Sequence, residues 1–227
     1  MRFFLTKTTP FKNYFAFDLD DTLVDGREFC GETIARVITH FEPDADFYKI
    51  VKIHEEIHGL SISDLYEKTL LELGLHSKLS EKIDEMLVMD KQIQAEDISK
   101  LKIFDGVIDI LKFLKSKDKK VFMITNRIES LLKLTLKYND IEQYFDEVIS
   151  CVDMGHKKPD PKCLLDLVEK YGATKEEFIY FGDSIVDKEL SINAGVEYMI
   201  FDQYLNDKNI FKKLINMFLE EKINGFK

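Results

Sequence analysis

The chain of 227 residues has only four prolines and ten glycines, and no segment of it is low in complexity. Disordered chains are usually poor in apolar residues, whereas 45% of this sequence is apolar. The composition therefore predicts a folded globular protein. The length allows either one core or a core domain that carries a smaller inserted unit.

Cysteine is also scarce, with three residues that lie far apart along the chain. Their odd number argues against a disulfide framework, and no pair has the CxxC spacing of a zinc site. We expect Cys30, Cys151 and Cys163 to be buried thiols.

Long apolar runs are missing, since no stretch reaches the roughly 18 apolar residues that cross a bilayer. The apolar start of the chain is interrupted by Lys7, Pro10, Lys12 and Asn13 before it attains the length of a signal peptide. A cytoplasmic protein is the expectation.

Positive charge is in the minority, and the formal net charge is -10. Such a chain is repelled at long range by nucleic acids and by anionic membranes, so we expect neither as a partner. The sequence does not indicate an oligomeric state.

Short apolar runs rich in aromatic and β-branched residues alternate with segments whose apolar residues are three and four positions apart. The runs predict buried strands at 14–17, 121–125, 147–150, 178–181 and 198–201. The other segments predict helices at 107–114, 128–138, 161–171, 188–194 and 208–223. Strands that alternate with helices indicate an α/β fold, a doubly wound parallel sheet with helices on both faces.

The span from about residue 28 to residue 101 has the helical pattern without a convincing strand. Because it separates the first two predicted strands, it indicates a helical cap inserted into the sheet domain. We place the core domain at residues 1–26 and 102–227 and the cap domain at residues 27–101.

Polar residues directly follow the predicted strands. Ligands of doubly wound sheets bind at the carboxyl ends of the strands, so these residues should share one cleft. They are Asp18, Asp20, Asp21, Thr22, Thr125, Asn126, Lys157, Lys158, Asp183, Ser184 and Asp187.

The carboxylates of this set would repel one another unless a cation lay among them, which favours a hard divalent metal, Mg²⁺. A magnesium ion binds few protein oxygens and leaves some carboxylates free to attack phosphorus or to move protons. Asp18 and Asp20 fit these two roles. Thr125 and Asn126 can donate hydrogen bonds to phosphate oxygens, while a lysine neutralises charge.

Four segments resemble, in the usual order, the motifs of the haloacid dehalogenase superfamily. FDLDDTL resembles the first motif, DxDxT; MITN is similar to the second, KKPDP to the third and FGDSIVDKELSINAG to the fourth. The resemblance implies a Rossmann-like core with a helical cap of the phosphoglycolate phosphatase type. It also implies a Mg²⁺-dependent phosphatase that hydrolyses a small phosphorylated substrate through an aspartyl-phosphate.

By this resemblance Asp18 is the nucleophile and Asp20 is the general acid and base. Lys158 is preferred to Lys157 as the phosphate-binding lysine because it directly precedes Pro159. The other implied roles are phosphate binding by Thr125, metal binding by the side chains of Asp18 and Asp183 and the backbone carbonyl of Asp20, and a place for Asp187 beside the ligands.

Alternative functions keep the same fold. A phosphomutase of the β-phosphoglucomutase type would use the same carboxylates and return the phosphate to the substrate, although Thr22 favours hydrolysis because the related mutases tend to have valine there. A noncatalytic binding module is a further alternative. A dehalogenase is disfavoured, since those members of the superfamily lack the second aspartate of the first motif and Asp20 is present.

Two cap features are weaker signals. Residues 58–61 resemble the substrate-facing loop of the cap. His54 and His58 have the spacing of a metal-binding pair on a helix, but no third ligand is evident, so an ordinary cap surface is the expectation.

Overall fold

The computed structural model describes residues 12–201. Its strands are β1 (Tyr14–Phe17), β2 (Val24–Asp25), β3 (Lys102–Ile103), β4 (Lys120–Thr125), β5 (Glu147–Ser150), β6 (Phe178–Gly182) and β7 (Glu197–Ile200). Its α-helices are α1 (Arg27–Phe41), α2 (Phe47–Ile57), α3 (Ile62–Glu72), α4 (His76–Leu79), α5 (Ile83–Glu96), α6 (Val107–Ser116), α7 (Glu129–Tyr138), α8 (Lys162–Lys170) and α9 (Ile185–Ala194).

Five strands form one sheet in the order β5-β4-β1-β6-β7, and every pair in it is parallel. The central strand β1 alternates between the two faces of the sheet. Phe15 and Phe17 join one hydrophobic cluster, and Ala16 joins another on the opposite face. Since both faces are buried, the strands read as continuous apolar runs. The predicted α/β fold with a parallel sheet is confirmed.

Helices cover both faces of this sheet. Apolar residues of α6 and α7 pack on the Phe15 face, and those of α8 and α9 pack on the Ala16 face. In α8 the buried residues Cys163, Leu164, Leu167 and Val168 form one stripe at helical spacing. Full burial of an aliphatic side chain as large as leucine contributes about 1.5–3 kcal/mol, so this stripe fixes α8 against the sheet.

The element boundaries agree closely with the sequence pattern, with one informative exception. The helix expected at 188–194 begins earlier, at Ile185, because Ser184 caps it. The Ser184 hydroxyl accepts a hydrogen bond from the backbone N–H of Asp187, and the Asp187 carboxylate accepts one from the backbone N–H of Ser184. The helix expected at 208–223 lies outside the described residues.

The inserted helices α1–α5 bury a hydrophobic cluster of their own. It includes Ile34 and Ile38 from α1, Tyr66 from α3 and Met86 from α5. At the base of the insertion, β2 and β3 form a short antiparallel ribbon that the sequence pattern did not reveal, because each strand has only two residues. The exact division at residues 26/27 and 101/102 stays a prediction.

The cysteines and the apolar helices can be compared with the sequence pattern. Cys151 and Cys163 are buried as expected and Cys30 is partly buried, and all three are free thiols. None of the helices between residues 12 and 201 is both long enough and apolar enough to cross a membrane.

Candidate active site

The carboxyl ends of β1, β4, β5 and β6 bring the expected polar residues to one edge of the sheet. Asp18 directly follows β1, and the loop after β5 carries Lys158. The Lys158 Nζ atom lies 2.7 Å from Asp18 Oδ1 and 2.7 Å from Asp187 Oδ1. One ammonium group therefore bridges two carboxylates, and all three side chains are buried.

The surroundings of Asp18 disfavour its charged form. Burial and the Asp187 carboxylate raise the pKa of Asp18, and Asp183 and Asp20 raise it further. Lys158 opposes them, yet the pKa stays well above the usual value for an aspartate. Burial alone would lower the pKa of Lys158, but Asp18 and Asp187 outweigh it and raise that pKa. Positive charge is what would favour the ionised, nucleophilic form of Asp18.

Asp187 is held by protein groups on both oxygens. Its Oδ2 accepts a hydrogen bond of 2.5 Å from the Ser184 hydroxyl, and its Oδ1 is 2.9 Å from the Tyr180 hydroxyl and also receives Lys158. These contacts hold the Asp187 carboxylate against the Lys158 ammonium. The sequence reasoning missed Tyr180. Its place in β6, where every residue is buried, could have revealed it, because a buried tyrosine hydroxyl needs a hydrogen-bond partner.

Three buried carboxylates form a group that can hold a metal ion. Oxygens of Asp18, Asp183 and Asp187 all lie within 4.8 Å of one another. Burial and Asp187 raise the pKa of Asp183, although His58 and Arg27 oppose this shift. An all-oxygen set with excess negative charge is the donor set that Mg²⁺ prefers, so these residues fit the expected metal. The Asp20 side chain is not part of the set.

Asp183 also has basic partners from the cap, Arg27 at the start of α1 and His58 at the end of α2. Arg27 Nη2 lies 2.9 Å and His58 Nε2 lies 3.1 Å from Asp183 Oδ2. Arg27 also reaches Asp21, with Nε 3.2 Å from Oδ2. The Thr22 hydroxyl donates to Asp183 Oδ1 at 3.4 Å. These contacts place the edge of the cap directly over the carboxylate group.

The Asp20 carboxylate is gripped by Arg127, a residue that the sequence reasoning missed. Arg127 Nε lies 3.1 and 3.0 Å from the two carboxylate oxygens, and Nη2 lies 2.6 Å from Oδ1. The same guanidinium donates from Nη1 to Gln94 Oε1 at 2.7 Å. The available signal was the position of Arg127 directly after the MITN segment, at the end of a buried strand.

Thr125 and Asn126 both lie at the cleft but differ in their partners. The Thr125 Oγ1 atom accepts a hydrogen bond from the backbone N–H of Arg127 at 3.0 Å. Asn126 Nδ2 donates to the backbone carbonyls of Gly59 and Lys158, each at 3.2 Å, and its Oδ1 accepts from the Lys158 N–H at 2.7 Å. Asn126 thus ties two core loops to the cap, and its direct contact with phosphate stays a prediction.

A cavity of about 170 Å³ lies between these core residues and the cap. The core contributes Asp18, Asp20, Thr125 and Lys158 to its wall, among others. The cap contributes both polar and apolar side chains, including His54, His58, Leu60, Ile62, Leu65 and Leu87. The volume suits a small molecule.

The expectation of an ordinary cap surface at His54 and His58 was wrong. His54 is only 3% exposed, and burial, with smaller contributions from His58 and Arg27, lowers its pKa to about 4. His58 contacts Asp183, as described above. Within the segment 58–61, His58, Gly59 and Leu60 line the cavity, whereas Ser61 caps the start of α3.

Lys157 and Lys158 point to different surroundings. The Lys157 side chain is half exposed and forms a surface ion pair with Asp64 of α3, at 2.6 and 2.7 Å from the two carboxylate oxygens. Lys158 is 1% exposed in its side chain and contacts Asp18. The geometry favours Lys158 for contact with a substrate phosphate.

Known proteins resemble this chain in sequence and in fold. The sequence profile of haloacid dehalogenase-like hydrolases matches residues 15–201. Pyrophosphatase PpaX of Bacillus mycoides (strain KBAB4) is 26% identical over 186 residues, which cover 82% of this chain and 81% of that protein. A solved structure of a candidate phosphoglycolate phosphatase from Lactobacillus plantarum has a TM-score of 0.72 at 17% identity, covering 85% of this chain and 87% of its own. A candidate β-phosphoglucomutase from Thermotoga maritima has a TM-score of 0.60 at 25% identity, with 83% of each chain covered.

Proposed function

Because the chain belongs to the haloacid dehalogenase-like hydrolase family, we propose that it is a Mg²⁺-dependent phosphatase acting through an aspartyl-phosphate on Asp18. The observation that carries the proposal is the buried Asp18–Lys158 ion pair, which lines a cavity of about 170 Å³ together with Asp20. A nucleophile, a proton-transfer group and a cation for the phosphate thus converge on one small space.

The reaction takes two displacements at phosphorus. In the first, an Asp18 oxygen bonds to phosphorus, the bond between phosphorus and the ester oxygen breaks, and Asp20 gives a proton to that leaving oxygen. In the second, Asp20 takes a proton from a water molecule, whose oxygen attacks the same phosphorus. Inorganic phosphate leaves, and the Asp18 carboxylate is restored.

Lys158 and Thr125 serve the transferring phosphoryl group in both steps. The Lys158 ammonium is placed beside the nucleophile, where it can neutralise the charge on the phosphate oxygens, and the Thr125 hydroxyl can donate a hydrogen bond to one of them. When bound, Mg²⁺ would be held by Asp18, Asp183 and the backbone carbonyl of Asp20, and it would add positive charge at the phosphate.

The substrate is a small phosphorylated metabolite of the phosphoglycolate, sugar phosphate or polyol phosphate type. The cap-covered cavity and the net charge of -10 support a small molecule rather than a nucleic acid. Pyrophosphate is a second candidate, supported by the similarity to pyrophosphatase PpaX.

The proposal is tested by phosphate release from a panel of phosphate esters and pyrophosphate, with Mg²⁺ and with EDTA. Asp18→Asn serves as the blank, since the amide keeps the shape of the side chain and removes the nucleophile. Mg²⁺-dependent release from a narrow set of small substrates is expected, with none from the variant. Release that persists in EDTA or in Asp18→Asn would contradict the mechanism.

A phosphomutase is the alternative that the similarity to the candidate β-phosphoglucomutase favours. It would isomerise a sugar phosphate after priming by a bisphosphate and would release little phosphate. Stoichiometric phosphate release excludes it. If a folded, Mg²⁺-binding protein neither releases phosphate nor isomerises any substrate, a noncatalytic module is the better description.

A further inference from the structure

We propose that Arg127 is a positioning residue that orients the Asp20 carboxylate toward the cavity. Its hydrogen bond to Gln94 makes this orientation depend on the packing of the cap against the core. The inference rests on the proposed function, which gives proton transfer to Asp20. It concerns a residue that need not touch the substrate at all.

The contact between Arg127 and Asp20 fixes an orientation as well as a distance. Nε and Nη2 approach the carboxylate together, with the shortest distance 2.6 Å and the others 3.0 and 3.1 Å. A planar fork that grips a planar carboxylate leaves it little freedom to rotate. The Asp20 side chain is 31% exposed, whereas that of Arg127 is 6% exposed. The buried guanidinium therefore restrains the more exposed carboxylate.

A chain of hydrogen bonds connects this grip to the interior of the cap. Arg127 Nη1 donates to Gln94 Oε1 at 2.7 Å, and Gln94 Nε2 donates to Asp90 Oδ1 at 2.6 Å. The Tyr66 hydroxyl donates to Asp90 Oδ2 at 2.9 Å. Gln94 and Asp90 lie one turn apart on α5, and Tyr66 lies on α3.

The polarity of the chain specifies how Gln94 is oriented. A flipped amide would place its NH₂ against the guanidinium and its oxygen against the Asp90 carboxylate, which is unfavourable at both ends. Gln94 is 4% exposed and Asp90 is 2% exposed, so water cannot readily replace either partner. The position of the guanidinium is thereby linked to the position of α5.

The burial of Arg127 is better explained by orientation than by stability. Buried ion pairs contribute little net stability compared with well-packed apolar residues, because desolvation of the charges offsets their attraction. Other cap–core contacts, such as the exposed pair of Lys157 and Asp64, also link the cap to the core but do not reach Asp20. The Arg127–Gln94 contact differs because Arg127 also binds Asp20, whose carboxylate lines the cavity.

This role has a kinetic signature that a purely structural role lacks. An alkyl phosphate needs a proton on its leaving oxygen, whereas p-nitrophenolate leaves as a stable anion and needs much less help. The value of kcat/KM includes only the steps up to leaving-group release. If Asp20 is wrongly oriented, kcat/KM should therefore fall far more for an alkyl phosphate than for p-nitrophenyl phosphate. The value of kcat should fall for both substrates, because Asp20 also acts in the second step.

The experiment compares Arg127→Lys with the wild-type enzyme on the best alkyl phosphate of the panel and on p-nitrophenyl phosphate. Lysine keeps the positive charge but lacks the two parallel N–H donors with which arginine binds a carboxylate. We expect kcat/KM to fall about 100-fold for the alkyl ester and by less than about threefold for the aryl ester. Gln94→Leu leaves the hydrogen bonds from Arg127 to Asp20 but removes the hydrogen bond from Arg127 to α5. It should lower the ratio of kcat/KM for the alkyl ester to kcat/KM for the aryl ester by about tenfold.

Two further variants separate the possible outcomes. Lys157→Met removes a cap–core ion pair away from Asp20 and should change both substrates by the same factor. Asp20→Asn should show the leaving-group discrimination in its strongest form. Thermal unfolding of each variant shows whether it is folded at the assay temperature.

If Asp20→Asn discriminates between the leaving groups and Arg127→Lys does not, the positioning role is wrong while the proposed function stands. If Asp20→Asn itself does not discriminate, the proton-transfer role of Asp20 in the proposed function fails. Should Arg127→Lys not fold, Gln94→Leu decides, since an unchanged ratio of the two kcat/KM values would overturn the link to the cap.

Discussion

Replacing Lys158 by methionine should destabilise the protein strongly, because the ammonium bridges two buried carboxylates. Its Nζ atom is 2.7 Å from both Asp18 and Asp187, and the three side chains are between 0% and 4% exposed. Removing one partner of a buried ion pair costs about 3–5 kcal/mol. Since the free energy of unfolding of a native domain is about 5–15 kcal/mol, Lys158→Met should lose a large part of it.

The loss should depend on pH in a defined direction. Burial and Asp187 raise the pKa of Asp18, and Lys158 opposes them, so the variant should raise this pKa further. A carboxyl group whose pKa is higher in the folded than in the unfolded state favours folding at low pH and loses that contribution as pH rises through the folded value. The deficit of Lys158→Met relative to wild type should therefore grow as pH rises through the folded pKa of Asp18 in the wild-type protein.

Urea unfolding in EDTA over a series of pH values measures this deficit, with circular dichroism as the signal because the chain has no tryptophan. The matched control is Lys157→Met, which removes a half-exposed lysine paired with Asp64 and should cost less than about 1 kcal/mol. Equal losses in the two variants, or a loss for Lys158→Met that does not change with pH, would refute the reasoning.

Two other substitutions test the cap. Gly59 has φ +87°, and an added Cβ would lie 2.5 Å from Ser184 Cβ, so Gly59→Ala should unseat the cap and lower kcat/KM by about tenfold or more. Gly74→Ala is its control, since Gly74 has φ +70° with nothing within 4 Å, and it should cost about 1 kcal/mol of stability with kcat/KM retained. The pKa of His54 is lowered to about 4 from the ordinary value of 6.5. As pH falls, His54 therefore gains its proton in the unfolded chain at a higher pH than in the folded protein. Wild type should therefore lose about 2 kcal/mol between pH 7 and pH 5 through this group, and His54→Leu should lack that loss. Parallel stability–pH curves would contradict the His54 assignment.

The fold was predictable from local pattern because burial on both faces of a parallel sheet leaves a direct trace in the sequence. The runs that became β1 and β5 were identified with their correct ends. The predicted β4 and β6 differ by one residue at one end, and β7 is shifted by one residue at both ends. The carboxyl-end rule then gathered Asp18, Lys158 and Asp183 without any knowledge of distances, since parallel strands end at the same edge of the sheet.

The partners within the site were not predictable in the same way. Arg127 pairs with Asp20 across 107 positions of sequence and with Gln94 across 33 positions, and no periodicity reports such contacts. The burial of His54 was missed for a related reason: its surroundings are supplied by the packing of α2 on α1, where Gly31 gives it space. Local pattern indicates that a side chain is buried, but tertiary packing determines what it meets.

The most direct test is chemical trapping of the phosphorylated enzyme. The wild-type protein is mixed with Mg²⁺ and its best substrate, quenched in acid during turnover and treated with borohydride, which reduces an acyl-phosphate to an alcohol. Peptide mass mapping should then find residue 18 converted from aspartate to homoserine, and only when substrate is present. Turnover without any conversion at Asp18, or conversion at a different carboxylate, would contradict the proposed mechanism.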